Sequence, residues 1–264
     1  MPATRAHTPA LQPIVLVGRG RVGNAIQRAA AAARLDVSLA GRDDIAEVAD
    51  GATTALLCVP DEEIAAACSA LIGASPGVAF VGHTSGATGL DRLEAARRAG
   101  AETFSLHPLQ TVPDGETDLV GAPAAIAGSS DAALAIAREL TEELGMNPFV
   151  VSEESRAAYH AAAAIASNFL IALEASAVEL LEAAGVADPE EARELLAPLV
   201  LRSAANWAER GPDALTGPIA RGDEETVERH LAAIDGVAPE LLGLYHALAE
   251  RTRAVAAGRE EVGG

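Results

Sequence analysis

The stretch Ile14-Val15-Leu16-Val17-Gly18-Arg19-Gly20-Arg21-Val22-Gly23 decides the fold. Four aliphatic residues run without a polar break into G-x-G-x-x-G, which reads as a buried parallel strand turning sharply into a helix. Gly18 permits the tight turn, Gly20 lets the backbone approach a pyrophosphate, and Gly23 lets the new helix pack close to the sheet. The helix that starts near Arg21 aims its free N–H groups and positive dipole end at that pyrophosphate. The pattern implies a dinucleotide site whose first wall is Gly18, Arg19, Gly20, Arg21, Val22 and Gly23.

An Ala-rich helical run over 22–34 and a short strand over 36–40 complete a βαβ unit of the expected length. The end of that second strand selects the dinucleotide, since an acid there bonds the ribose 2′-hydroxyl of NAD and an arginine pairs with the 2′-phosphate of NADP. Here the sequence is Gly41-Arg42-Asp43-Asp44. Arg42 at the tip, with Arg19 and Arg21 nearby, points to NADP, because a guanidinium grips a phosphate bidentately. The alternative is NAD, with Arg42 solvated and Asp43 or Asp44 on the ribose.

Further along, an apolar run over 53–61 ends at Val59, Pro60 and Asp61, which a doubly wound sheet places beside the first glycine turn. The strand over 77–82 opens into His83-Thr84-Ser85-Gly86, a loop of hydroxyls, amides and one imidazole at the same sheet edge. His83, Thr84 and Ser85 are therefore expected near the nicotinamide, although a turn with satisfied Ser and Thr caps is the other reading. The strand over 103–106 runs into His107-Pro108-Leu109-Gln110-Thr111, and strands over 124–128 and 148–151 flank a helix over 131–144. Strand and helix alternate with short links, the sign of a largely parallel α/β sheet. Beyond about Val151 only helical patterns remain, over 155–184, 189–210, 224–233 and 239–257. The expected architecture is an N-terminal Rossmann doubly wound sheet over 1–152, followed by an all-helical substrate and dimerisation domain over 153–264.

The chain has 264 residues, half of them apolar, enough for one or two real cores. A net charge of −19 argues against nucleic acid or an anionic membrane as partner. Cys58 and Cys68 lie in apolar runs, which suits a reducing compartment and a cytoplasmic protein. Residues 1–12 lack an apolar core segment and read as a loose tail. The longest apolar helical run, over 157–173, is interrupted by His160, Ser167 and Asn168, so no membrane span is expected. No metal site is expected either. All 19 basic residues are arginines, which excludes Schiff-base chemistry, a Walker lysine and a lysine general acid. A proton donor must be His, Tyr, Cys, a carboxyl group or water.

The first long helical run carries Tyr159, His160, Ser167 and Asn168. At about 100° per residue His160, Ala164, Ser167 and Asn168 share one side, where alanine lets a flat ring approach. An imidazole with an amide two turns on could donate to a substrate carbonyl and orient it; the plainer reading is a pair of core polar residues. In Leu215-Thr216-Gly217-Pro218-Ile219-Ala220-Arg221-Gly222-Asp223, a shaped loop, Thr216 and Arg221 are candidate substrate contacts and Asp223 caps the next helix. Arg221 reads equally well as a surface charge.

Taken in order, Gly18 to Gly23, His107 to Thr111, Tyr159-His160 with Ser167-Asn168-Phe169-Leu170, and Leu215 to Asp223 resemble a known group. These are Rossmann-like oxidoreductases whose C-terminal helical half is a domain of unknown function. The group is similar to ketopantoate reductase, pyrroline-5-carboxylate reductase and the deazaflavin-dependent NADP oxidoreductases, within the 6-phosphogluconate dehydrogenase superfamily, and the match runs from about Pro13 to Ala257. The resemblance implies NADP-dependent reduction of a small keto acid or imine in a cleft between two domains, by a protein that often dimerises through its helical half. Ketopantoate reductases place a lysine where His160 stands and asparagines where Ala164 and Asn168 stand. The departure supports a role for His160 and argues against ketopantoate itself. The expected mechanism is hydride transfer from NADPH with His160 as proton donor, Asn168 as orienter and His107 as the next candidate. The alternatives are a non-catalytic NADP sensor or scaffold and an NAD-dependent hydroxy-acid dehydrogenase.

Overall fold

The computed structural model describes residues 11–262. β1 (Ile14–Val17) is buried at every position. Ile14 and Leu16 enter one apolar cluster and Val15 and Val17 another, because successive side chains of a strand point to opposite faces and both faces here are covered. This explains the unbroken apolar run. β2 (Val37–Ala40), β3 (Thr54–Leu57), β4 (Phe80–His83), β5 (Glu102–Pro108), β6 (Pro123–Gly128) and β7 (Asn147–Val150) complete a seven-stranded sheet in the order β2-β1-β3-β4-β5-β6-β7. All neighbours are parallel except β5 and β6. No helix lies between β5 and β6 in the chain, so nothing carries it back for a parallel return.

The order reverses at β1, with β2 on one side and β3 on the other, so the carboxyl ends of β1 and β3 form the switch point of the sheet. α1 (Arg21–Ala33), α2 (Ile45–Val48), α3 (Ile64–Ala74), α4 (Glu94–Arg98) and α5 (Asp131–Glu143) are the helices between the strands. Gly18 adopts φ +123°, and a methyl on Gly23 would stand 1.9 Å from the Gly18 carbonyl oxygen. α1 thus sits as close to its turn as the glycine spacing requires.

Several boundaries move. β5 extends two residues beyond the expected strand and takes in His107 and Pro108, because its pairing with β6 continues to Pro108 opposite Ala124. The expected loose tail fails at its end: Leu11 is fully buried and the Gln12 side-chain oxygen accepts the Asp36 N–H at 2.8 Å. Its residues 1–10 lie outside the described residues.

Two compact units divide the chain, the first reaching Ile165 and the second starting at Ala166, rather than meeting at 152 and 153. α6 (Arg156–Ala166) is tied to the sheet through Arg156 and Tyr159, which explains the later border. The second unit holds α7 (Asn168–Ala183), α8 (Pro189–Arg210), α9 (Pro218–Arg221), α10 (Glu224–Val237) and α11 (Leu242–Val262). α7 packs on α8 and α10, and α9 and α10 pack on α11. The Asp188 carboxylate accepts the N–H groups of Glu190 and Glu191 at the start of α8, with Pro189 in the first turn.

The single helix expected over 155–184 is interrupted at Ser167, whose backbone leaves the helical region at φ −123° and ψ −73°. This is the stretch whose His160, Ser167 and Asn168 argued against a membrane span. By length and composition alone, Arg156–Ala183 holds an 18-residue window of mean hydropathy 1.6 that could cross a membrane, and the break at Ser167 falls within it.

Candidate functional site

The carboxyl ends of β1, β2 and β3 enclose a cavity of about 570 Å3. Gly18, Arg19 and Gly20 line it from the first turn, Gly41 and Arg42 from the second, and Val59 and Pro60 from the third. A Cβ added to Gly20 would meet nothing within 4 Å, so the backbone is open there. Gly20 is also the N-cap of α1, where no side chain accepts from the helix and no acid stands in the first turn. By contrast Ser130, Asp188 and Asp223 cap α5, α8 and α10 with side-chain acceptors. The start of α1 is therefore left with its dipole and first-turn amides for an anion. Asn24 stiffens the turn by donating to the carbonyls of Arg19 and Gly20 at 2.9 and 3.0 Å.

The other expected wall residues stand differently. Arg21 is exposed, and Val22 packs against the core beneath α1 rather than lining the cavity. Arg19 pairs with Asp44, which also accepts the Gly41 N–H, and Arg42 pairs with Glu63 at 2.7 Å.

The loop after β4 is largely satisfied by itself. His83 is fully buried; its Nδ1 accepts the Ser85 N–H at 3.2 Å, and its Nε2 has no hydrogen-bond partner. Thr84 donates its N–H to the Leu57 carbonyl. The Ser85 hydroxyl donates to Asp61 at 2.7 Å and accepts the N–H groups of Ala87 and Thr88, while Thr88 also donates to Asp61. None of His83, Thr84 and Ser85 lines the cavity at Gly18, and Asp61, expected there too, is held by Ser85 and Thr88. Such hydroxyl-rich loops close on their own backbone when a carboxylate is within reach.

A second concentration of polar groups lies at the carboxyl ends of β4 and β5. Ser105 pairs in register with His83, and His107, two residues on, faces the same way. α6 brings Arg156, Tyr159 and His160, spaced i, i+3 and i+4, to this face. Nδ1 of His107 lies 2.6 Å from the Tyr159 hydroxyl, and its ring centroid lies 6.1 Å from that of His160. Tyr159 also meets Phe149 edge to face. Gly86 lies against the imidazole, since a methyl there would be 2.7 Å from His107 Cε1. The buried Arg156 donates to Ser105 at 2.9 Å and to Glu153 at 2.6 Å, and Glu153 accepts the Leu90 N–H at 3.2 Å. This cluster is linked to the cavity through the chain: Pro60 lines the cavity, Asp61 follows it and holds Ser85, and Gly86 rests on His107.

Burial, with the positive Arg156 adding to it, holds the His83 imidazole down to about 4, against the opposing pull of Gly89, Asp61 and Glu153. Burial, then His160 and Arg156, brings His107 down to about 4 as well. Burial pushes the Tyr159 hydroxyl up to about 12. Near neutral pH His107 is an uncharged base bonded to a protonated phenol.

His107 and His160, both expected, are thus brought together. Tyr159, Arg156, Glu153 and Asp61 complete the arrangement, and only the Tyr-His pair on a helical spacing hinted at it. In the second unit Asn168 opens α7 and is exposed, as are Thr216 and Arg221. Asp223 caps α10 as expected, accepting the Thr226 N–H at 3.1 Å. Among the described residues no group of three or more His, Cys, Asp or Glu side chains is arranged to hold a metal ion.

The fold and the crevice define a Rossmann-like α/β protein with a helical second unit. Residues 122–252 match a family described as a domain of unknown function, DUF2520. Among curated proteins, none matches the chain in sequence. Solved structures with the same fold include protein TM1727 of Thermotoga maritima, with 22% identity and TM-score 0.75, covering 94% of this chain and 100% of that one. A Bacteroides fragilis protein named "putative NADP oxidoreductase" has 22% identity and TM-score 0.74, over 92% of this chain and 98% of that one. The pyrroline carboxylate reductase of Plasmodium falciparum, solved with NADP bound, has 11% identity and TM-score 0.59, over 92% and 97%.

Proposed function

We propose that the chain is an NADP-dependent oxidoreductase that reduces the carbonyl or imine group of a small acid. The observation that carries the reading is the uncapped start of α1 behind the open Gly20 backbone, in a crevice that also presents Arg19 and Arg42. These residues fit a dinucleotide: Gly18 and Gly20 admit its pyrophosphate, the α1 amides and dipole hold it, and Arg42 suits a 2′-phosphate. The likeness to a protein solved with NADP bound supports the same choice. When bound, the reduced nicotinamide supplies a hydride.

The chain's part is to hold the substrate and supply a proton. His160 stands beside the neutral His107 and the protonated Tyr159, so the Tyr159 hydroxyl can give its proton to a developing alkoxide or amide anion, the phenolate left behind being held by a hydrogen bond from the Nδ1–H tautomer of His107 until a proton from solvent restores it. Asn168, Thr216 and Arg221 are the substrate-orienting groups of the helical unit. That unit leaves Phe169, Ile171, Leu199 and Trp207 exposed, which supports a homodimer formed through it.

The test is to titrate the purified protein with NADPH and NADH by calorimetry. Loss of reduced-nicotinamide absorbance is then followed with a panel of 2-keto acids and cyclic imines. Binding of NADPH together with turnover of a panel member is expected; a protein that binds neither dinucleotide overturns the reading. Sedimentation velocity is expected to give a dimer mass, and a monomer at all concentrations removes the dimer.

A further inference from the structure

The crevice carries acid as well as base on its walls. Arg42 follows β2, Glu63 precedes α3 on the opposite wall, and Arg42 Nη2 stands 2.7 Å from a Glu63 carboxylate oxygen. Both side chains are substantially exposed, at 76% and 41%, so a ligand in the cavity reaches them. Glu63 shares its wall with Ala66, Ala67 and Ala70, at offsets of three, four and seven residues that put all four on one helical side. Three methyl groups and one carboxylate form that wall, and the carboxylate points to the cation expected to read a phosphate. Arg19 is employed otherwise, since its partner Asp44 also takes the Gly41 N–H and so belongs to the turn after β2.

We propose that Glu63 is a specificity-determining residue of the crevice: its carboxylate holds the place on Arg42 that a ribose 2′-phosphate would take, and so limits the preference for a phosphorylated dinucleotide. This inference rests on the reading of the crevice as a dinucleotide site. A 2′-phosphate arriving at Arg42 must displace the Glu63 carboxylate and then stand near it as a like charge. A 2′-hydroxyl does neither. An acid so placed weakens one ligand while leaving the other alone, the general route by which binding sites discriminate against a competitor.

The test is calorimetric titration of the full chain and of Glu63→Gln with NADPH and with NADH. The glutamine keeps the length and hydrogen-bonding capacity of the side chain and removes its charge, and an unchanged Tm shows that the variant is folded. NADPH is expected to bind roughly five- to tenfold more tightly to the variant, and NADH to change by less than about twofold. In an Arg42→Gln background the same substitution is expected to give a clearly smaller NADPH gain, because the pair it breaks is already gone and only the like-charge repulsion is left to relieve. Equal shifts for the two dinucleotides, weaker NADPH binding, or a gain of undiminished size without Arg42 would overturn the role of Glu63. Wild-type protein that binds neither dinucleotide overturns the reading of the crevice and the inference with it, and is recognised before any variant is compared.

Discussion

Nδ1 of His107, near the end of β5, lies 2.6 Å from the hydroxyl of Tyr159, on the first turn of α6. The contact joins a base held down to about 4 to a phenol held up to about 12, so the proton they share stays on the pair across neutral pH. If that pair feeds the substrate, Tyr159→Phe lowers turnover about 100-fold while NADPH affinity stays within about twofold. Stopped-flow oxidation of NADPH beside a binding titration measures both. Turnover within a few-fold of wild type would remove Tyr159 from the chemistry.

His160 shares the cluster without a hydrogen bond to His107, at 6.1 Å between ring centroids. His160→Ala is expected to lower turnover far more than NADPH affinity. Equal loss of both would make His160 a structural residue.

The buried imidazoles predict an acid-labile fold. For His83 the unfolded chain takes up a proton near 6.5 and the folded chain only near about 4, so between those values the unfolded state binds more protons. Stability therefore falls as the pH drops through this window, by up to about 3 kcal/mol for His83 and by less for the partly exposed His107. Urea unfolding at several pH values from 7 to 4.5 measures the slope. His83→Gln is expected to flatten it, and an unchanged slope would show that His83 is not its source.

Two glycines of the same turn, one hemmed in and one open, separate folding from binding. Gly23→Ala drives a methyl to 1.9 Å from the Gly18 carbonyl oxygen and is expected to cost about 2–4 kcal/mol, read as a fall in Tm. Gly20→Ala meets no protein atom within 4 Å and is expected to leave Tm within about 2 °C while weakening NADPH binding about tenfold or more. A Gly20→Ala protein that binds NADPH normally would place the pyrophosphate elsewhere.

The glycine turn, the strand and helix that flank it, the alternation of strand and helix, and the cap at Asp223 could all be read along the chain. Each is set by neighbours within about one turn, where backbone geometry and hydrogen-bonding capacity act directly on residue choice. The candidate site was half legible for the same reason. His107 stands at a strand end and His160 beside Tyr159 on a helix, positions that local pattern reveals, but no local pattern shows that the two meet.

By itself, then, the sequence determined a doubly wound sheet, a helical C-terminal half and the place of the crevice, because hydrophobic period and glycine spacing are local quantities. Only the tertiary structure decided how the polar groups are spent. Ser85 reaches Asp61 across 24 residues, Arg156 reaches Ser105 across 51, and Tyr159 reaches His107 across 52. The same holds for Glu63, which takes hold of Arg42 across the crevice. Such pairs depend on which strands become neighbours in the sheet, and a titratable side chain acquires its charge state from partners that only the folded chain supplies.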